Sequence, residues 1–133
     1  MGGVSNDEAQ TIGAFVAQPI LRRMLALLES PKRRPDLVAM LDHFDGFDPK
    51  WILDLSPGDQ SPEAIAQKLI SLGAAKDCWA ISSDPGLDRQ RLSLRSALDS
   101  VVGSGFGTLL ICRPGRLAFY EGEEPGARTI LHR

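Results

Sequence analysis

Three short apolar runs, each followed by turn residues, constrain the fold of this chain more than any other feature. The runs cover residues 51–55, 78–81 and 108–112, and two segments with helical patterns separate them. The run at 78–81 is apolar at consecutive positions, which is typical of a strand covered on both faces. Strands joined by helices of this length usually pair in parallel through a right-handed crossover. The pattern therefore predicts a β-α-β-α-β unit with parallel strands.

The remaining strands are predicted after this unit, at residues 117–120 and 129–131. The first of them returns from the pair Pro114-Gly115, which favours a type II turn and matches the twist of a two-residue hairpin poorly. We therefore expect a longer loop or a bulge in that hairpin. The predicted fold class is α+β (mixed α/β): N-terminal helices, then β-α-β-α-β, then a C-terminal antiparallel hairpin plus a short strand, in one mixed sheet of about five strands.

Helix signals fill the first third of the chain and both gaps between the apolar runs. Residues 5–8, Ser-Asn-Asp-Glu, are typical of a capping box, and apolar residues at helical spacing follow them. A second amphipathic helix is predicted from Pro19 and a third, shorter one from Pro35. The cap and proline at Ser61-Pro62 predict a fourth helix, and the apolar spacing from Leu94 predicts a fifth.

Length and composition favour one globular domain. The chain has 133 residues, of which 43% are hydrophobic and 24% charged, as is usual for a single folded unit. We expect a single domain over 1–133, with an N-terminal helical arm at 1–30 and a β-α-β-α-β-β-β core at 50–133. The sequence contains neither an apolar run long enough for a bilayer nor a secretory signal pattern. These observations predict a cytoplasmic protein without a membrane partner.

The charge balance and the N-terminal helices bear on partners. The net charge is −2, from 15 basic and 17 acidic residues, whereas a nucleic-acid-binding domain usually carries a basic excess. No nucleic-acid partner is therefore expected. Two amphipathic helices ahead of a small core are often more than one sheet face can cover. The leading hypothesis is accordingly a non-enzymatic protein-interaction module, a homo-oligomer or a binder of another protein through these helices.

A different hypothesis places a small polar-ligand site, or an enzyme site, at one edge of the sheet. Ligands tend to bind in the crevice at the carboxyl ends of parallel strands. Polar side chains that follow the predicted strands would meet at that edge: Asp54, Ser56, Ser82, Ser83, Asp84 and Arg113. Asp54 stands out because a carboxylate within an apolar strand is costly unless it has a partner. The alternative for Ser56 and Asp84 is a role in turns, since each precedes a Pro-Gly pair.

The other polar motifs do not favour a cofactor, a metal or a catalytic triad. The glycines at 103–107 follow a helix and precede a strand, whereas a phosphate loop follows a strand and opens a helix. The acids at 42–48 lack the alternate spacing of a calcium loop. Only His43 and His132 could serve as an imidazole base. Cys78 and Cys112 lie within apolar runs, which predicts buried, reduced thiols. We expect no cofactor and no metal, and whether the protein is an enzyme stays open.

Overall fold

One six-stranded sheet separates two layers of helices. The computed structural model describes residues 3–133, with side chains from Asn6 onward. In this part of the chain the strands run in the order β1-β6-β5-β4-β2-β3, and all neighbouring strands are antiparallel. The strands are β1 Ile52–Leu53, β2 Asp77–Ser82, β3 Arg91–Ser93, β4 Thr108–Arg113, β5 Leu117–Glu121 and β6 Arg128–His132.

The helices agree closely with the sequence pattern. They are α1 Gly3–Phe15, α2 Gln18–Glu29, α3 Arg34–Met40, α4 Pro62–Ser71 and α5 Leu94–Val101, and 3-10 turns cover Pro31–Arg33, Leu41–His43, Pro49–Trp51 and Pro57–Asp59. The predicted cap of α4 is confirmed, because the Ser61 hydroxyl accepts a hydrogen bond from the Ala64 amide at 3.1 Å. The side chain of Ser5, half of the expected capping box, lies outside the described residues. No described helix has both the length and the apolar character needed to cross a membrane.

The predicted α+β class is confirmed, whereas the predicted parallel pairing and the count of five strands are wrong. The reason is β3, a strand of three residues that the sequence pattern did not indicate. After β2 the chain turns and runs back along it, so that Asp77 faces Ser93. Helix α5 then carries the chain across the sheet once more, and β4 enters beside the end of β2, with Thr108 opposite Ser82. The hairpin thus reverses the direction that a simple crossover would have kept.

The C-terminal strands follow the prediction more closely. The bulge expected in the hairpin is confirmed, because the register between β4 and β5 shifts between Ile111 and Arg113. Gly115 in the hairpin turn has a φ of 70°, a conformation that favours glycine. The predicted first strand is reduced to the two residues of β1, at an edge of the sheet beside β6.

Both faces of the sheet are covered. Helices α4 and α5 pack on one face, where Leu69, Leu98 and Phe119 are fully buried. The N-terminal helices cover the other face, where Phe15 and Leu37 are buried against the sheet. The helices expected to form an arm therefore cover one face of the sheet and pack into one of the two core clusters.

Candidate functional site

A buried arginine joins three parts of the chain near the end of β2. The guanidinium of Arg34, at the start of α3, binds both carboxylate oxygens of Glu8 in α1, at 2.7 and 2.9 Å. It also binds both oxygens of Asp88, in the turn between β2 and β3, at 3.0 and 2.9 Å. The indole N–H of Trp79 donates to Glu8 at 2.8 Å. We call Arg34, Glu8, Asp88 and Trp79 the Arg34 cluster.

The charges of the Arg34 cluster depend on one another because the cluster is nearly closed to solvent. The exposed fractions of the side chains are 12% for Arg34, 3% for Glu8 and 12% for Asp88. Burial by itself lowers the pKa of Arg34, but the hydrogen bonds and charges of Glu8 and Asp88 outweigh this effect and raise it above its usual value. Arg34 therefore stays protonated. Arg89 adds a second cation, with its Nε atom 3.9 Å from Asp88, so two guanidinium groups face the two carboxylates.

The turn after β2 is held by its own side chains. Asp88 accepts a hydrogen bond from the Ser82 amide at 3.0 Å, and the Ser82 hydroxyl accepts one from the Asp84 amide at 3.1 Å. Asp84 in turn accepts from the Gly86 amide at 3.0 Å, which is the turn role that its Pro-Gly neighbours allowed. Arg89 has a φ of 62°, a conformation that few residues other than glycine adopt. These contacts fix the chain around Ser83.

Asp42 links the end of the N-terminal helical layer to the sheet. Its Oδ1 atom accepts hydrogen bonds from the Ser83 hydroxyl at 2.5 Å and from the Gly107 amide at 2.9 Å. Gly107 lies against the 3-10 turn Leu41–His43. A Cβ added at Gly107 would lie 2.1 Å from the carbonyl carbon of Leu41. Only glycine leaves room for this approach, so residue 107 positions Asp42 against Ser83.

These contacts form the two walls of a groove of about 570 Å³. One wall comes from α3 and the turns on either side of it, and the other comes from the end of β2 and the turn that follows. The polar lining residues are Arg34, Asp42, Ser82, Ser83, Asp88 and Arg89. The apolar lining residues are Pro31, Pro35, Val38, Ala39 and Pro85. The groove thus combines hydroxyl and carboxylate groups with an apolar wall.

The structure brings together only some of the six site residues proposed from sequence. Ser82 and Ser83 line the groove, and Asp84 follows them directly. Arg113 lies at the opposite end of the sheet, because β4 is antiparallel to β2, and its Nε donates to the Gly73 carbonyl. The shared edge expected for parallel strands therefore does not exist.

Asp54 and Ser56 lie away from the groove as well. They follow β1, which is separated from β2 by three strands. Asp54 is exposed, so the expectation of a costly buried carboxylate is wrong. It follows a strand of only two residues at the sheet edge, where water reaches its side chain. Ser56 donates a hydrogen bond to Asp59 at 2.6 Å within a 3-10 turn, in agreement with the turn alternative.

The groove supplies hydrogen bonds and charge rather than an evident catalytic base. His43 follows Asp42 in sequence, but its imidazole lies against Glu123, at 2.6 Å, and Glu124, at 3.8 Å. Within the part of the chain that is described, no group of three or more histidine, cysteine or acidic side chains is arranged to hold a metal ion. The arrangement is suited to holding a polar molecule.

Sequence reasoning missed Arg34, which lines the groove, and its buried partner Glu8. Arg34 lies in a basic segment between two prolines, Pro31 and Pro35, that carries no apolar helical pattern, and Glu8 was interpreted as part of a capping box. One signal was present, because Glu8 precedes Ile12 and Phe15 at helical spacing and so shares the buried side of α1. An acid on an apolar stripe predicts a buried partner of opposite charge, but it does not say which arginine that partner is.

Comparison with known proteins identified no relative of this chain. A scan of protein-family models, a search of curated proteins and a search of solved structures each found no match. The groove and the side chains that form it are therefore the features that bear on function.

Proposed function

We propose that this protein binds a small polar molecule in the groove between α3 and the end of β2. The observation that carries the proposal is the groove itself, whose volume of about 570 Å³ is in the usual range for ligand pockets. Such pockets combine apolar walls with a few fixed polar groups that orient the ligand. The groove has this composition, with Val38 and Pro85 among its apolar residues and Asp42 and Ser83 among its polar ones.

The polar groups are held in place before any ligand arrives. Asp42 is fixed by hydrogen bonds from Ser83 and Gly107, and Asp88 is fixed by Arg34 and the Ser82 amide. A ligand that binds here need not order these side chains, which lowers the entropic cost of binding. We propose binding without a chemical step, because the neighbouring imidazole of His43 faces Glu123 instead of Ser83.

A pair of matched substitutions tests the groove without disturbing the buried charges. Ala39 is exposed on α3 and lines the groove, whereas Ala26 is exposed on α2 and is not a lining residue. A library of small polar fragments is screened against ¹⁵N-labelled protein by NMR. We expect hits that shift the amides of Ser83 and Arg89, and we expect Ala39→Phe to abolish these shifts and Ala26→Phe to leave them unchanged.

Two outcomes would contradict the proposal. One is a screen in which no fragment shifts the groove amides at millimolar concentration. The other is a set of hits that survive Ala39→Phe, because they would bind elsewhere. The fold of each variant is checked first from its amide spectrum, so that a loss of binding is not confused with unfolding.

Self-association through the N-terminal helices is a second candidate function. It is favoured by Leu21, Leu25 and Leu28, which follow one another at helical spacing on α2 and are only partly buried. Deleting α1 would be a poor test, since Phe15 belongs to the core. Light scattering coupled to sizing should instead show a dimer that Leu25→Lys converts to a monomer. A wild-type monomer at micromolar concentration would contradict this candidate.

We also propose a cytoplasmic location for this binding activity. Both cysteines, Cys78 and Cys112, are free and buried, which agrees with folding in a reducing compartment. A fluorescent fusion examined in intact cells tests the location, and a signal confined to an oxidising compartment would contradict it.

A further inference from the structure

The two cysteines face each other across the seam between β2 and β4. In this seam Trp79 pairs with Ile111 and Ala80 pairs with Leu110. Cys78 precedes Trp79 and Cys112 follows Ile111, so both lie where this ladder ends, and the Cys112 carbonyl accepts a hydrogen bond from the Ala75 amide at 3.2 Å. Both side chains belong to the apolar cluster on the α4 and α5 face, with exposed fractions of 1% and 2%. The thiols therefore lie on the same face of two adjacent strands.

This arrangement is close to the geometry that a disulfide requires. Opposed residues in an antiparallel pair have Cα atoms roughly 4.5–5.5 Å apart, and disulfides join Cα atoms roughly 4.4–6.8 Å apart. Burial raises the pKa of Cys112, and the charge of the neighbouring Cys78 raises it further. The second effect requires the two side chains to be close together. Cys112 additionally lies at the bulge between β4 and β5, where the backbone departs from regular pairing.

We propose that Cys78 and Cys112 are a modification site that forms a cross-strand disulfide by exchange with a small-molecule disulfide. The thiolate of one cysteine attacks a sulfur of the reagent, forms a mixed disulfide and releases one reagent thiolate. The second cysteine thiolate then attacks the protein-bound sulfur and releases the other reagent thiolate. The two protein thiols lose two protons and two electrons in all, and the reagent disulfide is reduced to two thiols.

The same burial makes the exchange slow in the folded protein. Burial raises the pKa of Cys78 to about 12, so very little thiolate is present at neutral pH. Both thiols lie in the apolar cluster beneath α4 and α5, so access requires a local opening of that helical layer. The product is shielded in turn, because a reductant needs the same opening to reach it.

A thermodynamic cycle makes the proposal measurable. If the native sheet holds the thiols at bonding distance, the equilibrium constant for disulfide formation is larger in the folded than in the unfolded chain. The ratio of these two constants equals the factor by which the disulfide increases the folding equilibrium constant. We expect this ratio to be at least about tenfold, in line with disulfides that close loops of this size.

The experiment equilibrates the protein with defined ratios of reduced and oxidised glutathione, in buffer and in urea above the unfolding transition. Acid quenching and mass spectrometry of the intact protein measure the form that has lost two hydrogens. The variants Cys78→Ala and Cys112→Ala are the controls, since each can form only a mixed disulfide. We expect the intramolecular disulfide to dominate in the folded wild type. Its equilibrium constant of formation should exceed that in the unfolded chain by at least about tenfold.

A second measurement keeps the result decisive when exchange in buffer is slow. Oxidised and reduced proteins are prepared separately, and their urea unfolding gives the same ratio through the cycle. The proposal is overturned if the oxidised protein is no more stable than the reduced one. It is equally overturned if the folded protein accumulates the mixed disulfide with glutathione without forming the intramolecular bond.

Discussion

The two helical layers are attached to the sheet by different interactions. Helices α4 and α5 lie between strands in the sequence and pack on the sheet through apolar side chains such as Leu69 and Leu98. Helices α1 to α3 precede every strand, and polar contacts between residues distant in sequence add to their apolar packing. Arg34 reaches Asp88, 54 positions away, and Glu8 reaches Trp79, 71 positions away.

The difference matters because only the N-terminal layer forms a wall of the groove. Apolar packing tolerates small displacements, whereas a guanidinium with two bidentate carboxylates accepts a narrow range of positions. We therefore expect the Arg34 cluster to fix α3 relative to Ser83. The sheet contains a second buried ion pair, Arg128 with Glu121, and that pair joins two neighbouring strands.

Removing the two buried arginines one at a time gives the largest expected effects. Arg34→Ala leaves Glu8 and Asp88 buried without their cation and should lower the free energy of unfolding by about 3–5 kcal/mol. Arg128→Ala should cost less, about 1–3 kcal/mol, because it strands a single carboxylate, Glu121, which keeps a hydrogen bond from the Gly103 amide at 2.8 Å. Urea unfolding of both variants measures the difference. An equal or larger loss for Arg128→Ala would break the distinction between the layers.

The approach of the N-terminal layer to the sheet is tested by a single methyl group. Gly107→Ala places a Cβ against the backbone of Leu41 and should destabilise the protein by about 1–3 kcal/mol. Gly13→Ala is the matched control, since nothing lies within 4 Å of its Cβ position in α1. Better helix propensity should make that variant more stable by about 0.5–1 kcal/mol. Thermal unfolding in which both substitutions changed the stability in the same direction would contradict a close contact between Gly107 and Leu41.

Alkaline pH distinguishes the two faces of the sheet, because different side chains titrate on each face. Burial raises the pKa of Cys78 to about 12 and also raises that of Cys112, both on the α4 and α5 face. The unfolded chain loses its thiol protons first, so stability is complete below about pH 8.5 and declines as pH rises towards 12. Each thiol should contribute about 2 kcal/mol to the loss at pH 10, so the expected total for the two is on the order of 4 kcal/mol.

Tyr120 supplies the contrast on the other face. Burial raises the pKa of its hydroxyl, which donates to the Leu41 carbonyl at 2.5 Å. An unfolded tyrosine ionises at about pH 10, so the stability that Tyr120 contributes is lost only above that pH. Urea unfolding at a series of pH values between 8.5 and 10 should therefore show a free energy of unfolding that falls with pH, both in the wild type and in Tyr120→Phe. A slope that persists in the double variant Cys78→Ala, Cys112→Ala would contradict the assignment to the thiols.

The elements that sequence could predict are those with local signals. Ser61 and Pro62 mark the start of α4, and the apolar runs mark β2 and β4. The strand β3 escaped because Arg91, Leu92 and Ser93 form neither an apolar run nor a clear alternation. Missing β3 then produced the parallel sheet, since strand direction depends on every reversal of the chain.

The candidate site was predictable only on its sheet side. Ser82 and Ser83 were proposed because they end a buried strand, and that position holds whatever the direction of the neighbouring strands. Arg34 and Asp42 come from the layer whose docking depends on contacts between residues distant in sequence. No local pattern specifies which acid a buried arginine will meet, so the second wall of the groove could not be predicted.

Native-state hydrogen exchange tests most directly whether the N-terminal layer belongs to the same cooperative unit as the sheet. Amides of Phe15 in α1 and Leu37 in α3 are compared with the amide of Leu110 in β4. If the groove is preformed, all three should exchange with the free energy of global unfolding, within about 1 kcal/mol, and with the same dependence on urea. Exchange of Phe15 and Leu37 at a distinctly lower free energy would mean that the helices open while the sheet stays folded, which contradicts a preformed groove.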